Sequence, residues 1–457
     1  MKHQFHPSIL RAYDVRGIAG DTLNPIDAYH LGRLFATKIY QESGRCRICV
    51  GLDGRLSSPR MEEELVKGLM ASGAEVIRVG LGPSPMLYFS VRELKADGGV
   101  MVTGSHNPGH HNGLKFSRAT APFYGEDIQD FQLRLREGDV RQASGSVSFE
   151  DVQETYVETL ASVLAGRDLP FSVAWDPGSG AAGEVVEALI EQLPGGHVAI
   201  NTVIDGTFPA HHPDPSVAEN LAQLIETVQA NQCDIGLAFD GDGDRIGAVD
   251  ASGRILWGDQ IMLLLAQDLL KKHPGAAIIG DVKCSQVVFE GIEKAGGRAI
   301  IYKTGHSLIK HKMKEESALF AGEMSGHIFF ADEYFGYDDG IYAGVRLLRA
   351  IADSGKSFKD MIDAIPETFS TLEHRVPCES DKAEALVSNI KQMIHGRPGH
   401  SVLDIDGIRV TTPDGWWLVR ASNTQPVIVW RAEGKSKEAL ERLEDEVRGL
   451  LEEGCSV

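Results

Sequence analysis

Short apolar segments alternate with helical patterns along most of this chain, and this alternation restricts the possible folds more than any other feature. Residues 48–53 and 75–80 are predicted strands, separated by a helix that starts at Ser58 and Pro59 and ends near Ser72. A polar N-cap residue followed by proline is typical of a helix start. Strands that alternate with helices predict an α/β fold with a mainly parallel sheet.

The same rhythm occurs twice more along the chain. Residues 171–176 and 235–240 are predicted strands of a second series, and residues 276–281 and 299–302 belong to a third. Ligands of open α/β sheets bind beyond the carboxyl ends of the strands. The residues that follow these segments are therefore the first candidates for a functional site.

After about residue 370 the pattern changes. The predicted strands 407–410 and 416–419 flank Pro413, Asp414 and Gly415, which is a hairpin signal, and a charged helix is predicted for residues 436–451. We therefore expect three similar mixed α/β domains and a smaller C-terminal α+β domain. Their expected ranges are residues 1–150, 151–254, 255–368 and 369–457.

Composition excludes several classes of partner. The formal net charge of −20 argues against nucleic acid or an anionic membrane, because both require a basic surface. No apolar run reaches the roughly 18 residues that span a bilayer, and residues 1–7 lack the apolar core of a signal peptide. Six cysteines in 457 residues do not indicate a disulfide scaffold. A monomer in the cytoplasm is expected.

Three carboxylates at every second position follow the predicted strand 235–240. Asp240, Asp242 and Asp244 are separated by glycines, which allow a tight backbone on which the side chains can converge on one cation. An EF-hand loop requires glycine and glutamate where Arg245 and Ala251 stand, so that interpretation fails. Few carboxylates with room for a phosphate oxygen are typical of a Mg²⁺ site.

Ser105 lies in the loop 103–108, directly after the apolar segment 99–102. Thr103 and Asn107 occupy the glycine positions of a G-x-S-x-G motif, so an esterase is not supported. A turn serine that bonds its own backbone is the structural interpretation. Together with the three aspartates, however, the serine favours phosphoryl chemistry through a phosphoserine.

A competing motif lies at residues 178–183, a full G-x-G-x-x-G that follows a predicted strand and precedes a helical pattern. Asp205 lies about 20 residues further on, where a ribose-binding acid is found in dinucleotide sites. An NAD-dependent dehydrogenase is therefore an alternative hypothesis. A close turn that uses glycines for packing is the structural alternative.

Two further polar loops could bind a sugar phosphate. Residues 420–426 combine a guanidinium, two hydroxyls and an amide after a strand, a set that suits phosphate oxygens. Residues 322–327 place Glu323, Ser325 and His327 between glycines. A carboxylate that accepts hydrogen bonds from neighbouring hydroxyls suits a sugar, although either loop could also be an ordinary polar turn.

At these motifs the chain resembles the α-D-phosphohexomutase superfamily, and most closely its bacterial phosphomannomutase/phosphoglucomutase type. The resemblance covers essentially the whole chain and displaces the dehydrogenase hypothesis. It implies four domains around a central cleft, of which the first three share one α/β topology. The six ordered motifs are residues 11–17, 103–108, 240–245, 303–306, 322–327 and 420–426.

The resemblance implies an isomerase that moves a phosphoryl group reversibly between C1 and C6 of glucose and mannose phosphates. It implies Mg²⁺ as the cofactor, a hexose 1,6-bisphosphate as the intermediate and primer, and a small phosphosugar as the partner. The implied metal ligands are Ser105, Asp240, Asp242 and Asp244. The implied catalytic residues are Ser105, Lys115, Arg16, His327 and Arg245.

The resemblance also implies a set of substrate-binding residues. Glu323 and Ser325 are expected to hold ring hydroxyls, and the loop at Arg420 is expected to hold the phosphate that is not reacting. Gln425 and the pair His110–His111 depart from many relatives, which leaves substrate preference open, and phosphoglucosamine mutase-like specificity is an alternative. The full set is Tyr13, Lys283, His306, Glu323, Ser325, Arg420, Ser422, Asn423 and Thr424.

Overall fold

A computed structural model describes residues 3–422 and 427–454 of the chain. Within these residues four sheets follow one another along the sequence, and helices accompany each of them. The α/β class, the three similar domains and the smaller C-terminal domain agree with the expectation from sequence.

The first sheet has the strand order β1-β5-β4-β2-β3-β6. Strands β2, β3, β4 and β6 are parallel, whereas β5 runs antiparallel to both β4 and β1. Its strands are β1 (Val15–Ile18), β2 (Arg47–Leu52), β3 (Glu75–Leu81), β4 (Gly98–Val102), β5 (His111–Arg118) and β6 (Ser146–Phe149). Its helices are α1 (Pro25–Ser43), α2 (Ser58–Ala71), α3 (Ser84–Glu93) and α4 (Glu126–Glu137).

The second sheet has the order β11-β10-β9-β7-β8. Every residue of β9 and β10 is buried, and these strands form an antiparallel hairpin in which Phe239 pairs with Ile246. The strands are β7 (Ser172–Asp176), β8 (Gly196–Ala199), β9 (Ile235–Phe239), β10 (Ile246–Asp250) and β11 (Ile255–Leu256). The helices are α5 (Gln153–Ser162), α6 (Gly183–Ile190), a 3-10 helix (Ala218–Leu221) and α7 (Ala222–Ala230).

The third sheet has the order β13-β12-β14-β15, with β15 antiparallel to β14. Its strands are β12 (Ala277–Asp281), β13 (Arg298–Tyr302), β14 (Phe320–Gly322) and β15 (Ile328–Phe330). Its helices are α8 (Gly258–Lys272), α9 (Gln286–Lys294), α10 (His306–Glu316), α11 (Gly340–Ser354) and α12 (Phe358–Asp363).

The first three sheets share one topological device. In each of them a buried strand is followed by a short loop and an antiparallel return strand, namely β4–β5, β9–β10 and β14–β15. The three loops are residues 103–110, 240–245 and 323–327. Equivalent positions in three similar domains thus carry the serine, the aspartates and the Glu323 loop.

The fourth sheet is antiparallel throughout. The predicted hairpin is confirmed, since Thr412 pairs with Gly415 across the turn between β19 and β20. The strands are β16 (Phe369–Ser370), β17 (His374–Pro377), β18 (Ser401–Leu403), β19 (Ile408–Thr412), β20 (Gly415–Ala421) and β21 (Val427–Gly434). The helices are α13 (Ser380–Ile394) and α14 (Lys437–Gly454).

Packing unites the first three domains more closely than the fourth. One apolar cluster extends from Ile77 of the first sheet through Trp175 of the second to Ile278 of the third, whereas the fourth domain has its own cluster around Trp417. Among the described helices, none combines the length and the apolar character that a membrane crossing requires. The loops of the first three domains are therefore held on one continuous core.

The fourth domain contacts the third through a buried polar seam. Arg409 donates to the carbonyls of Val282 at 2.5 Å and Cys284 at 2.8 Å, and its guanidinium lies 3.7 Å from the ring centre of Trp416. Glu433 accepts hydrogen bonds from Ser285 and from the indole of Trp416. This seam joins the fourth domain to the segment directly after β12.

A buried carboxyl group at the start of α11 makes a pH-dependent contribution to stability. Asp339 accepts hydrogen bonds of 2.8 Å from the hydroxyls of Tyr156 and Tyr334 and from the amide of Tyr342. Burial nevertheless raises the pKa of Asp339 from 3.8 to about 6. Between these two values the folded chain binds more protons than the unfolded chain, so the unfolding free energy falls as pH rises, and this fall ends above the folded pKa.

We expect Asp339→Asn to remove this fall, which amounts to about 3 kcal/mol for a shift of this size. Asparagine remains a good N-cap, so the helix start is retained. Urea unfolding of both proteins, below, between and above the two pKa values, measures the effect. An equal difference in stability at every pH would contradict the prediction.

Candidate active site

Ser105 lies where the first domain meets the second. Its side chain is buried, and its backbone is held at a φ of 50° by a hydrogen bond of 2.8 Å from its own amide to the Thr103 hydroxyl. The Ser105 hydroxyl donates to Asp240 Oδ2 at 3.0 Å and lies 3.1 Å from Nδ1 of His106. The structure thus brings together a serine and an aspartate that lie 135 residues apart in sequence.

Asp240 uses both of its carboxylate oxygens. Oδ2 faces Ser105, and Oδ1 accepts hydrogen bonds of 3.1 Å from the amides of Asp244 and Arg245. Burial, together with the neighbouring carboxylates of Asp244 and Asp242, raises the pKa of Asp240 well above its usual range. The loop therefore folds around Asp240, whose carboxylate has the negative charges of Asp244 and Asp242 beside it.

Lys115 of β5 reaches across from the first domain to the other two aspartates. Its ammonium lies 2.6 Å from Asp242 Oδ2 and 2.6 Å from Asp244 Oδ2, and the Ser84 hydroxyl also donates to Asp242 Oδ2. Burial disfavours a charged lysine, but the two carboxylates outweigh burial and raise the pKa of Lys115 well above its usual range. One ammonium thus faces two buried carboxylates.

The remaining oxygens of this cluster fit a divalent cation. Oδ1 of Asp242 and Oδ1 of Asp244 are buried and have no hydrogen-bond partner among the described residues. Oxygens offered by Asp240, Asp242 and Asp244 all lie within 4.8 Å of one another. Unpaired buried carboxylate oxygens are costly, and three converging carboxylates suit a hard cation with oxygen ligands.

Arg245 is held beside the aspartates by a histidine. Its Nε donates to Nε2 of His327 at 3.0 Å, and an accepting Nε2 leaves the histidine proton on Nδ1. That Nδ1 lies 3.1 Å from Oδ2 of Asp338, a buried carboxylate that also pairs with Lys310 at 2.9 Å and lies 3.4 Å from His306. Asp338 therefore lies in ionic contact with His327, and His327 holds the guanidinium through Nε2.

Arg16 belongs to the same region but faces the serine loop. Its Nε donates to Asp14 at 2.7 Å, and Nη1 donates to the side chain of Asn107 at 3.4 Å. The five implied catalytic residues, Ser105, Lys115, Arg16, His327 and Arg245, thus surround the aspartate cluster or the serine loop.

The Glu323 loop is tied to the turn that follows β13. Glu323 Oε1 accepts from the amide of Gly305 at 2.7 Å, and Oε2 accepts from the Ser325 hydroxyl at 3.0 Å. Tyr13 of the first domain donates to the carbonyl of Thr304 at 3.0 Å. The carboxylate and hydroxyl expected to bind sugar therefore lie at one position, beside a residue of the first domain.

His306 stacks against His327 at a ring separation of 5.5 Å and meets the ring of Tyr13 edge-on at 6.5 Å. Burial lowers the pKa of His306 well below its usual range, and the charge of Lys310 acts in the same direction. A neutral imidazole therefore lies beside His327 of the Glu323 loop and beside Asp338.

The fourth domain contributes the residues expected to bind phosphate. Arg420 pairs with Asp406 at 2.9 Å, and Asp406 also accepts from the amide of Thr304 at 3.2 Å. Lys283 lies 3.5 Å from Glu373. The Arg420 guanidinium thus approaches the third domain, whereas Lys283 of the third domain approaches Glu373 of the fourth, and each cation has a carboxylate beside it.

The rest of the phosphate loop is described only in part. The amide of Ser422 donates to the carbonyl of Val427 at 3.0 Å, where β20 and β21 meet. Asn423 and Thr424 lie outside the described residues. Their implied role in phosphate binding stays a prediction.

The G-x-G-x-x-G turn at residues 178–183 has a structural function. The amide of Ala181 donates to the carbonyl of Gly241 at 2.9 Å, and the amide of Ser179 donates to the carbonyl of Asn201 at 2.8 Å. A Cβ at Gly180 would lie 2.9 Å from the carbonyl oxygen of Gly241. The Ala181 amide and this close approach support the loop 240–245, and the Ser179 amide is used by Asn201, so a pyrophosphate site here is not supported.

Reasoning from sequence missed several residues that shape the site. Asp281, at the end of β12, accepts from the amide of Met324 at 3.1 Å and from the hydroxyl of Thr304 at 2.8 Å. It thereby joins the two loops of the third domain. Asp53 and Ser84, which follow β2 and β3, hold the serine loop and Asp242 respectively. All three lie at carboxyl ends of strands, and that position was the available signal.

Four family models match successive parts of the chain. They are described as phosphoglucomutase/phosphomannomutase alpha/beta/alpha domains I, II and III, which match residues 7–131, 154–253 and 257–369, and as the C-terminal domain, which matches residues 373–450. The chain belongs to the phosphoglucomutase/phosphomannomutase family. The α-D-phosphohexomutase resemblance stated from sequence is confirmed.

Relatives in this family match over nearly their whole length. A phosphomannomutase/phosphoglucomutase of Pseudomonas aeruginosa is 42% identical over 444 residues, which cover 97% of this chain and 95% of that protein. A phosphoglucomutase of Neisseria gonorrhoeae is 40% identical over 448 residues, with coverages of 97% and 96%. The crystal structure of a family member from Burkholderia thailandensis superposes with a TM-score of 0.91 at 38% identity, covering 98% and 97% of the two chains.

Proposed function

We propose that this phosphohexomutase interconverts the 1- and 6-phosphates of glucose and mannose through a phosphoserine at Ser105 and a hexose 1,6-bisphosphate. The observation that carries the proposal is the Ser105 hydroxyl, 3.0 Å from Asp240, in a cluster where Oδ1 of Asp242 and Oδ1 of Asp244 have no hydrogen-bond partner among the described residues. The names of the relatives from Pseudomonas aeruginosa and Neisseria gonorrhoeae support the same activity.

We propose Mg²⁺ as the metal, held by Asp240, Asp242 and Asp244 together with an oxygen at Ser105. Mg²⁺ prefers few carboxylates combined with a phosphate oxygen. When bound, it supplies positive charge that stabilises the oxygens of the phosphoryl group during transfer. Oδ1 of Asp242 and Oδ1 of Asp244, which have no hydrogen-bond partner among the described residues, support this assignment.

The chain's own residues account for the transfer. The bond between phosphorus and Ser105 Oγ breaks as a bond between phosphorus and a sugar hydroxyl oxygen forms, and the hydroxyl proton passes to Ser105 Oγ. We assign the proton transfer to Lys115, which is buried beside the aspartates. Arg16 and Arg245 add positive charge around the serine, and His327 holds Arg245 in place.

The second half of the reaction requires that the bisphosphate turn around, so that its other phosphate reaches Ser105. We propose that Glu323 and Ser325 hold ring hydroxyls in both orientations, with Tyr13, Lys283 and His306 around them. Arg420 would hold the phosphate that is not reacting, because a guanidinium binds phosphate oxygens bidentately. Its partners in this role would be Ser422, Asn423 and Thr424.

We propose for the enzyme the domain organisation and the setting that the sequence indicates. The four domains would cover residues 1–150, 151–254, 255–368 and 369–457, with the catalytic loops facing a common cleft. The enzyme would act as a monomer in the cytoplasm on a small phosphosugar, without a nucleic-acid or membrane partner. Its net charge of −20 supports the last point.

A coupled assay tests the proposed function. Glucose 1-phosphate and mannose 1-phosphate, each with Mg²⁺ and a trace of the matching 1,6-bisphosphate, should both be converted to the 6-phosphate. A chelator should stop turnover and added Mg²⁺ should restore it. N-Acetylglucosamine 1-phosphate serves as the comparison substrate for the alternative specificity. Absence of turnover with both hexose phosphates under these conditions would refute the proposal.

A further inference from the structure

One buried arginine directs its two terminal nitrogens at backbone carbonyls in and next to the serine loop. Arg55 Nη1 donates to the carbonyls of Pro108 at 2.6 Å and His111 at 3.0 Å, and Nη2 donates to the carbonyls of Ser105 at 2.7 Å and Asn107 at 2.5 Å. Three carbonyls of the loop 103–110 and the carbonyl of His111, the first residue of β5, therefore converge on one guanidinium.

The fifth donor of Arg55 completes the set. Nε donates to Asp53 Oδ2 at 3.1 Å, and the same oxygen accepts from the amide of Gly104. A guanidinium has five N–H donors, so none remains for a substrate. All donors of Arg55 therefore bind groups of the protein itself. Arg16 differs from Arg55, because its side chain is partly exposed.

The loop that Arg55 holds is both tight and strained. Ser105 adopts a φ of 50°, a conformation that costs a non-glycine residue energy and persists only when its surroundings impose it. A Cβ at Gly104 would lie 2.5 Å from the guanidinium. The close approach therefore requires glycine at this position, immediately before the serine.

A segment of the second domain covers Arg55. The ring centre of Phe208 lies 5.1 Å from the guanidinium carbon, and a Cβ at Gly206 would lie 2.4 Å from the Arg55 Cα. The Arg55 side chain has no exposed surface. Its hydrogen bonds are therefore made away from water, where charged donors hold carbonyls more firmly.

We propose that Arg55 is a positioning residue for phosphoryl transfer, which fixes the backbone of the serine loop so that Ser105 faces the aspartates of the loop 240–245. This inference rests on the proposed function. A lysine at this position would keep the charge but lose the planar fork of five donors. Phosphoryl transfer depends on in-line geometry, so loosening the loop should slow transfer without weakening substrate binding.

The test is Arg55→Lys, studied as the full-length protein with Mg²⁺. We expect kcat to fall about 100-fold, the effect of a displacement of about 1 Å at a reacting centre, while KM for glucose 1-phosphate stays close to that of the wild type. Phosphorylation of Ser105 by glucose 1,6-bisphosphate in a single turnover should slow by a similar factor. All rates are expressed per folded molecule, from near-UV circular dichroism.

Arg346→Lys is the matched control, because Arg346 is buried on α11, is paired with Asp332 at 2.8 Å and stacks on Phe330, away from the serine loop. It should lose thermal stability but keep kcat. A purely structural role for Arg55 would likewise lower the melting temperature and spare kcat per folded molecule, which would overturn the inference.

Phe208→Leu is the second variant, and it decides the matter should Arg55→Lys fail to fold. It uncovers the guanidinium but leaves its five donors in place, so kcat should fall less than in Arg55→Lys, with KM retained. Unchanged kcat in Phe208→Leu would count against the inference.

A wild-type protein without turnover and without phosphate on Ser105 would overturn the proposed function as well, whereas an active wild type with fully active variants would overturn the inference alone.

Discussion

Ser105→Ala should lower mutase turnover by about 10⁴-fold or more, since removal of a covalent nucleophile typically costs this much or more. The Ser105 hydroxyl is the group proposed to carry the phosphoryl group between the two halves of the reaction. No neighbouring side chain replaces it, because the hydroxyl of Thr103 accepts from the Ser105 amide and His106 only flanks it. The loss should appear in kcat, since sugar and phosphate contacts are unchanged.

The fold of Ser105→Ala should survive. The variant loses the hydrogen bonds of the hydroxyl to Asp240 and His106, worth about 1 kcal/mol each on average. The strained φ of 50° is no worse for alanine than for serine. Intact and peptide mass spectrometry should show phosphate on Ser105 in the wild type and none in the variant.

Ser117→Ala is the control for this experiment. Ser117 lies on β5, and its hydroxyl donates only a long hydrogen bond of 3.4 Å to the carbonyl of Gly99. Full turnover is expected from this variant. Wild-type turnover from Ser105→Ala would eliminate the phosphoserine mechanism.

Lys115→Met should destabilise the metal-free protein by about 3–5 kcal/mol, the usual cost of leaving buried charges without their partner. Asp242 and Asp244 are completely buried, and Lys115 is the cation 2.6 Å from each of them. A bound divalent cation would neutralise the same carboxylates, so Mg²⁺ should restore a large part of the lost melting temperature. Turnover should also fall by about 10²–10⁴-fold, the usual contribution of a proton-transfer group.

Thermal unfolding of wild type and variant, in a chelator and in Mg²⁺, measures the effect independently of activity. Lys38→Met is the matched control, because Lys38 also belongs to the first domain and pairs with Asp127 at 2.7 Å, but both side chains are partly exposed. It should change stability by about 1 kcal/mol or less and respond to Mg²⁺ as the wild type does. Equal losses in chelator and in Mg²⁺ for Lys115→Met would refute a cation at the aspartates.

Local patterns predicted the elements of this protein well. Helix α2 begins at Ser58, one residue before the predicted first helical residue, because its N-cap is Ser57 and not Ser58. The hairpin between β19 and β20 turns at the predicted proline, aspartate and glycine. Apolar periodicity and turn chemistry act over a few residues, so a single sequence suffices to locate them. The family resemblance added the order of the motifs and the four-domain fold.

The candidate site could be predicted from the sequence only in part. The aspartate spacing and the serine loop were visible in sequence as two separate motifs, which together favoured a phosphoserine, and the resemblance then implied that they share one metal. The G-x-G-x-x-G turn shows the limit of motif reasoning, because its Gly180 serves a close approach to the carbonyl of Gly241. A motif states which backbone conformation is possible, but not which neighbour requires it.

Apolar periodicity and turn residues were enough to predict the α/β elements, the succession of loops at strand ends and the kinds of side chain at each loop. Which oxygens of Asp242 and Asp244 lack a hydrogen-bond partner among the described residues could be known only from the folded chain. The same holds for the donors of Arg55, which go to the serine loop, His111 and Asp53, and for Tyr13, which reaches Thr304 across 291 positions. These features depend on how separate domains pack against one another. Hydrophobic periodicity reports the face that a segment buries, whereas the partner that covers that face is settled by the packing of the whole chain.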